Sequence, residues 1–301
     1  MALRAVKPTT LEKRLKALFY GPAGVGKTTA AIQFPRPYLI DPERGAENDQ
    51  YVKLLASRGG VYFGAEQGAT DADEVIREVT SLLSEKHDFV TLIIDPLTVI
   101  YNDLIEKGIR EIGGTEFGRH KAPADRKIKH LFNLLLRLDM NVVITSHAKG
   151  KWRRSVNAKG QEVVAEDGMT FDCYGKLEYL FDLVFEIDKR GAERVGIVRK
   201  TRVEAFPEGD VFPFSYAEIA RRYGKKTLER GAEPEELASA GQVAQLENLC
   251  QQLSVPQETI DRWFAKAGAD SFAELPADAA GKCIKSLLSK LTAETQEKKA
   301  S

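Results

Sequence analysis

A chain of 301 residues is long for one compact domain and suits a large domain with a small companion. Its 44 Lys+Arg balance 44 Asp+Glu, so zero net charge excludes a global polycation or acidic tail and leaves any phosphate or nucleic-acid binding to local clusters. Cys173, Cys250 and Cys283 form no CxxC pair, "MALRAVKPTT" has no apolar signal core, and no run approaches the roughly 18 apolar residues of a membrane span; a soluble chain without membrane contact, in a reducing cytosol, is expected.

In chain order, strands are predicted at "LKALFY" (15–20), "PYLID" (37–41), "VTLIID" (90–95) and "NVVITS" (141–146), then at "FDLVFEID" (181–188) and "RVGIVRK" (194–200). Helices are predicted at 27–34, 71–86, 96–107 and 124–139. Short β-branched runs alternating with longer helical periods predict an α/β fold, a mostly parallel sheet covered by helices. "KRGAE" between the last two strands predicts a hairpin at one sheet edge. Beyond residue 225, "KKTLERGAEPEELASAG" reads as a linker, followed by short amphipathic helices near 241–253, 256–267 and 276–291. The expected division is a core over 1–228, a linker over 229–240, a small helical module over 241–292 and a disordered tail over 293–301. From 231 onward, 7 Lys/Arg stand against 11 Asp/Glu, leaving 37 against 33 before it, so the core is the more basic part.

"FYGPAGVGKTT" holds a full GxxxxGK[ST] motif, Gly21, Pro22, Ala23, Gly24, Val25, Gly26, Lys27 and Thr28, with Thr29 next, after a strand and at a helix start. Glycines let backbone N–H groups curl around phosphates, Lys27 reaches the β- and γ-phosphates, and the Thr28 hydroxyl ligates Mg2+. A glycine-rich turn with a surface lysine is the plain alternative. "FVTLIIDP" delivers Asp95 at the carboxyl end of an apolar strand, where ligands of open α/β sheets bind. Asp95 is expected on Mg2+, directly or through water, with a helix cap as the alternative. No NKxD follows a plausible strand, which disfavours a GTPase and points to ATP.

In "YLIDPERGAEN", Glu43 follows Asp41 by two residues and is placed to orient or deprotonate an attacking water; pairing with Arg44 is the alternative. Here the sequence resembles the RecA-like ATPases, which carry their catalytic Glu at the end of the strand after the P-loop helix. Lys200 and Arg202, two apart in "RVGIVRKTRVEAF", share one strand face. RecA-like filaments set a similar basic pair from one subunit against the γ-phosphate held by its neighbour; a solvated edge strand is the alternative.

From "KRLKALFYGPAGVGKTT" through "TSHAKGK" to the helical tail, the pattern resembles the small RecA-like annealing ATPases of bacteriophages, the Sak-type single-strand annealing proteins, over about residues 10–225. The resemblance implies a RecA-like P-loop fold with a C-terminal helical module, ATP-dependent binding of single-stranded DNA, and annealing or strand exchange. It also implies a homo-oligomeric filament or ring hydrolysing ATP between subunits, work beside a single-strand-binding protein, and the cytoplasm of a bacterial host cell. The chain departs from RecA in having no obvious N-terminal polymerisation helix, and in placing Ser146-His147 where RecA has a γ-phosphate-sensing glutamine. His147 is therefore the candidate sensor, since a histidine can donate to phosphate. His87, His120 and His130 lack metal-ligand spacing and read as surface or partly buried residues.

Single-strand binders combine phosphate-pairing cations with aromatic platforms. "HAKGKWRRSVNAKGQ" supplies Lys149, Lys151, Arg153, Arg154 and Lys159 around Trp152, where RecA-like proteins have a mobile DNA-binding loop; a solvated β-hairpin turning at "NAKG" is the alternative. "GRHKAPADRKIKH" adds Arg119, Lys121, Arg126, Lys127 and Lys129 as a second DNA loop or as a solvated helix start. In the tail, Trp263, Phe264 and Phe272 read as a mini-core, and a partner-docking module fits best. Two other functions stay open: a nucleotide-gated DNA- or partner-binding protein with negligible hydrolysis, and a small-molecule P-loop kinase using the basic loop as a lid, which leaves Trp152 without a role.

Overall fold

The computed structural model of the protein describes residues 13–45, 48–156 and 162–300. Strand β1 (Lys16–Tyr20) leads through the glycine-rich loop to α1 (Lys27–Ile32), followed by β2 (Pro37–Asp41), α2 (Asp49–Ser57), β3 (Val61–Gly64) and α3 (Ala72–Ser84). Then come β4 (Thr91–Ile94), the helix pair α4 (Leu97–Ile112) and α5 (Lys121–Arg137), and β5 (Asn141–Ser146). A hairpin of β6 (Ala148–Val156) and β7 (Glu162–Phe171) stands apart from the main sheet, which resumes with β8 (Leu183–Arg190), β9 (Glu193–Thr201) and β10 (Val211–Pro213). Helices α6 (Tyr216–Tyr223) and α7 (Lys225–Glu229) close the core; α8 (Ala240–Gln252), α9 (Gln257–Ala267) and α10 (Ala277–Ala300) form the tail.

The main sheet runs β10-β9-β8-β1-β5-β4-β2-β3, with β8, β1, β5, β4, β2 and β3 parallel and β9 turning back antiparallel. Successive strand residues point to opposite faces. Leu18, Ile40, Leu92, Ile94, Val142 and Ile144 pack toward α3, α4 and α5, while Ala17, Phe19, Leu39, Ile93 and Val143 pack toward α1 and α6. Both faces are covered, so these strands are apolar throughout instead of alternating. Helix α3 illustrates the local logic: Asp71 caps it by accepting from the N–H groups of Asp73 and Glu74, a contact worth about 1 kcal/mol. Val75, Ile76, Val79, Leu82 and Leu83 then recur on the buried stripe. This is the RecA-like P-loop fold, a mostly parallel sheet with helices on both faces.

The registers Tyr20↔Ser146, Ile94↔Ile144 and Ile40↔Ile94 bring the carboxyl ends of β1, β5, β4 and β2 level. The α4–α5 pair is antiparallel, with Tyr101 bonded to Asp125 at 3.1 Å and a glycine at its tightest approach, where a Cβ on Gly108 would overlap the His120 carbonyl. Lys107 bonds Asp71 at 3.0 Å, beyond the carboxyl end of β3, so the α4–α5 turn and the β6–β7 hairpin emerge from the same edge of the sheet.

Several boundaries differ from the sequence expectation. Short α2 and the edge strand β3 were not anticipated: β3 has four residues with Val61 and Tyr62 exposed, too few and too wet for a periodic signal. Strand β10 lies outside the β8–β9 hairpin, so the edge is one strand further out. Helix α10 is described to Ala300, past the end expected near 291. Residues 232–238 are tied down: the Glu235 N–H bonds the Leu83 carbonyl at 2.7 Å, and Leu237 bridges Pro276. The tail helices have their own cluster of Leu246, Leu249, Leu275 and Leu287, against which Trp263, Phe264 and Phe272 pack. They dock on α5, where Arg137 meets Glu235 at 2.9 Å and the Glu274 carbonyl at 2.9 Å, and His130 lies between Asp270 (3.1 Å) and Glu274 (2.9 Å). Among the described residues, no helix is long and apolar enough to cross a membrane.

Candidate functional site

The levelled strand ends open into a cleft of about 460 Å³ lined by Gly21, Pro22, Ala23, Gly24, Lys27 and Thr28 on one side and Asp41, Glu43, Asp95 and His147 on the other. The loop needs its glycines: Gly24 and Gly26 sit at φ 76 and 86, the left-handed region that favours residues without a Cβ, and a Cβ at Gly21 would overlap the Ile187 carbonyl. Lys27 Nζ folds back onto the Gly21 and Pro22 carbonyls at 2.9 and 3.0 Å. Burial pushes the amine below its ordinary range, while Asp95 and Glu43 pull it back up. An ammonium held by two carbonyl dipoles is ready to exchange them for phosphate oxygens.

Asp95 follows β4 and is almost fully buried. It accepts from the Thr145 hydroxyl on β5 and from the Thr28 hydroxyl, not from the start of α4, whose N-cap is Pro96. Burial pushes the Asp95 carboxyl up, the two hydroxyls pull it down, and neighbouring Asp41 pushes it up again. A buried carboxylate beside a second one favours a cation, and oxygen donors suit Mg2+. Among the described residues, no group of three or more His, Cys, Asp or Glu could hold a metal. Thr28 and Asp95 therefore fit Mg2+ only as part of a set completed by phosphate oxygens and water.

Glu43 and His147, read separately from the sequence, meet in the structure: Nε2 of His147 is 3.1 Å from Oε1 of Glu43, with both side chains about half exposed. His147 is thus on a carboxylate partner instead of standing free as a sensor, and Glu43 pairs with it and not with Arg44. Asp41 poses the Glu43 turn by accepting from the Glu43 and Gly45 N–H groups at 3.3 and 3.1 Å. Thr98 of α4 fixes the histidine backbone, its Oγ1 accepting from the His147 N–H at 3.0 Å. Thr145 and Thr98 were missed in the sequence because hydroxyls on buried elements carry no pattern.

Lys200 and Arg202 lie at the far end of the sheet. Lys200 pairs in register with Val184, near the start of β8, whereas Tyr20, just before the loop, pairs with Glu186. Lys200 donates to the Phe181 carbonyl, and Arg202, beyond the end of β9, donates to the Tyr179 carbonyl at 2.6 Å and forms an ion pair with Asp182 at 3.7 Å. The structure does not bring them to this chain's own cleft. At the near end of the same strand is a residue not singled out in the sequence, Arg194, whose Nε bonds the Val25 carbonyl at 2.8 Å.

The basic stretch after His147 is a β-hairpin, the shape raised as the alternative to a mobile loop; Lys159 and the "NAKG" turn lie outside the described residues. Trp152, Arg154 and Val156 project from one face and Arg153 and Ser155 from the other. The four Lys/Arg of β6 lie beside three Asp/Glu of β7, with Trp152 opposite Glu166, so the hairpin is far less basic than β6 alone. Lys149 pairs with Asp172 at 3.0 Å; Lys151, Trp152, Arg153 and Arg154 are exposed. Arg119 and Lys121 are exposed at the α4–α5 turn, beside Phe117, which is 93% exposed at φ 53. Phe117 was not singled out, although an aromatic between Gly114 and Gly118 and two residues before Arg119 was a readable signal.

Comparison with protein families matches the AAA domain over residues 13–208, well over half of the chain. Comparison with curated proteins gives no match. Among solved structures, the chain is similar to the RadB recombinase, at 18% identity and a TM-score of 0.37, covering 74% of this chain and 91% of that one. It is also similar to a prototypical ATPase from the type III secretion system of pathogenic bacteria, at 14% identity and a TM-score of 0.40, covering 96% and 89%.

Proposed function

The chain belongs to the AAA domain family, and on that premise we propose an ATPase that hydrolyses ATP between copies of itself and couples the cycle to binding single-stranded DNA and annealing or exchanging it. The observation that carries this reading is the place of His147: its side chain meets Glu43 inside the cleft, and the next residue begins the exposed hairpin. Gly21 to Thr29 hold the phosphates, and Lys27 leaves its loop carbonyls for the β- and γ-oxygens. Thr28 and Asp95 hold Mg2+, which when bound supplies positive charge at those oxygens. Glu43 takes the proton of the attacking water. A γ-phosphate competes for the His147 donor, releasing Glu43 to the water and moving the strand end from which β6 starts. Lys200 and Arg202, remote from their own cleft, serve a neighbour's γ-phosphate in a filament or ring.

Single-stranded DNA lies against two projections from one sheet edge, Lys149, Lys151, Trp152, Arg153 and Arg154 on the hairpin, and Phe117, Arg119 and Lys121 on the α4–α5 turn, with Lys159, outside the described residues, kept as a further DNA contact from its place in the sequence. The helical tail is the place for a single-strand-binding protein, and the bacterial cytoplasm is the setting. The test is ATP hydrolysis and sedimentation with and without single-stranded DNA, with a rise in both rate and assembly size expected. Equal rates and an unchanged monomer would overturn the coupling. A second reading, a nucleotide-gated DNA- or partner-binding protein with negligible hydrolysis, is favoured by the Glu43–His147 pair, which leaves the base engaged. It would appear as MgATP-dependent DNA binding without phosphate release.

A further inference from the structure

We propose that Arg194 is a positioning residue for nucleotide binding, setting the orientation of one peptide group in the phosphate loop of its own chain. This rests on the reading of the cleft as an ATP site.

Arg194 belongs to β9, where its backbone is fixed on both sides: it pairs with Lys189 of β8, and its carbonyl accepts from the Phe214 N–H at 2.9 Å. From that anchored position Nε donates to the Val25 carbonyl at 2.8 Å. The peptide unit is planar and trans, so the Val25 carbonyl and the Gly26 N–H point in opposite directions. Drawing the carbonyl outward toward Arg194 turns the Gly26 N–H inward, the orientation needed in a cradle made of backbone N–H groups. The guanidinium also fills the space beside Gly26, where a Cβ would displace it from the loop, while the glycine itself is required by its φ of 86. At the other end of the loop, the Ile187 carbonyl of β8 occupies the space beside Gly21. The β8–β9 hairpin therefore braces the loop at both ends, with the directional contact made by Arg194. A flexible glycine loop without that contact would have to order itself on binding.

The loss of one charge-assisted hydrogen bond predicts a roughly tenfold weaker affinity. The test titrates the full chain with MgATP and MgADP, alongside steady-state ATP hydrolysis and thermal melting. For Arg194→Ala, Kd for both nucleotides and KM are expected to rise about tenfold, with kcat at saturation within about threefold of wild type. Arg194→Lys, which keeps one charged donor, is expected to recover at least half of that loss on a logarithmic scale. Arg190→Ala, at the exposed tip of the same hairpin, is expected to bind as wild type. Wild-type affinity in Arg194→Ala would overturn the role, as would equal weakening in Arg194→Ala and Arg194→Lys that follows a shared fall in melting temperature. If Arg194→Ala does not fold, the Lys variant alone decides: tighter loss of kcat than of KM overturns the proposal. A wild-type chain that bound neither nucleotide would overturn the ATPase reading itself.

Discussion

The phosphate cleft and the β6–β7 hairpin are adjacent in sequence, separated only at His147, yet their side chains are in opposite states. In the cleft, charged groups are already engaged: Lys27 on two carbonyls, Asp95 on two hydroxyls, Glu43 on His147. On the hairpin, Lys151, Arg153 and Arg154 form no ion pair with any described residue, and Trp152 is 66% exposed. Pre-engaged groups define positions to within a bond length and suit chemistry. Uncommitted groups on a two-stranded ribbon suit a polymer, whose contacts are many and individually weak. The difference separates what each region should lose when it is altered.

The largest effect belongs to the cleft. Glu43→Gln should lower kcat for ATP about 10²- to 10⁴-fold, the usual worth of a positioned base, while MgATP affinity measured by titration stays within about threefold. A parallel loss of affinity would break the separation of chemistry from binding. On the exposed side, Phe117→Ala and Trp152→Ala should each weaken single-stranded DNA by about tenfold, in line with stacking worth about 1–3 kcal/mol per base. Anisotropy of a labelled oligonucleotide would measure this, and melting temperature should not change.

A smaller shift sharpens the electrostatics. Glu166→Lys, opposite Trp152, should tighten DNA binding several-fold and steepen the salt dependence of log K by about 0.7. A slope unaltered across a salt series would place DNA elsewhere. The smallest change concerns stability without nucleotide. The Asp95 carboxyl is raised above its unfolded range, so the fold binds its proton more tightly than the unfolded chain, and stability falls as pH rises through that window. Asp95→Asn should therefore melt a few degrees above wild type near neutral pH while losing Mg2+-dependent hydrolysis, and the gap should close as the buffer is acidified.

How much was legible in the sequence follows from the same contrast. The parallel strands could be read because both faces are buried and the runs are unbroken, and the loop because its glycines and lysine are required at fixed spacing. Lys16, in the midst of that pattern, is buried because its amine caps the carbonyls of Leu135, Leu138 and Met140, a partnership no local window contains. The Glu43–His147 pair joins residues 104 positions apart, beyond the ends of β2 and β5 with β4 between them, so spacing could propose each residue but not their meeting. The hairpin misled in charge for a similar reason. Its basic strand is contiguous in sequence, but the acidic strand that offsets it becomes relevant only once the chain folds back.

Strand β9 carries Arg194 at one end, on this chain's own loop, and Lys200 near the other, about 20 Å away at the rise of an extended strand. In the proposed assembly that strand is a shared crossbar: the same rigid object feels whether one cleft is filled and reaches toward the next. Occupancy would then spread between nearest neighbours along the ring or filament, and the sharpness of the response to ATP would be a property of β9 more than of either cleft.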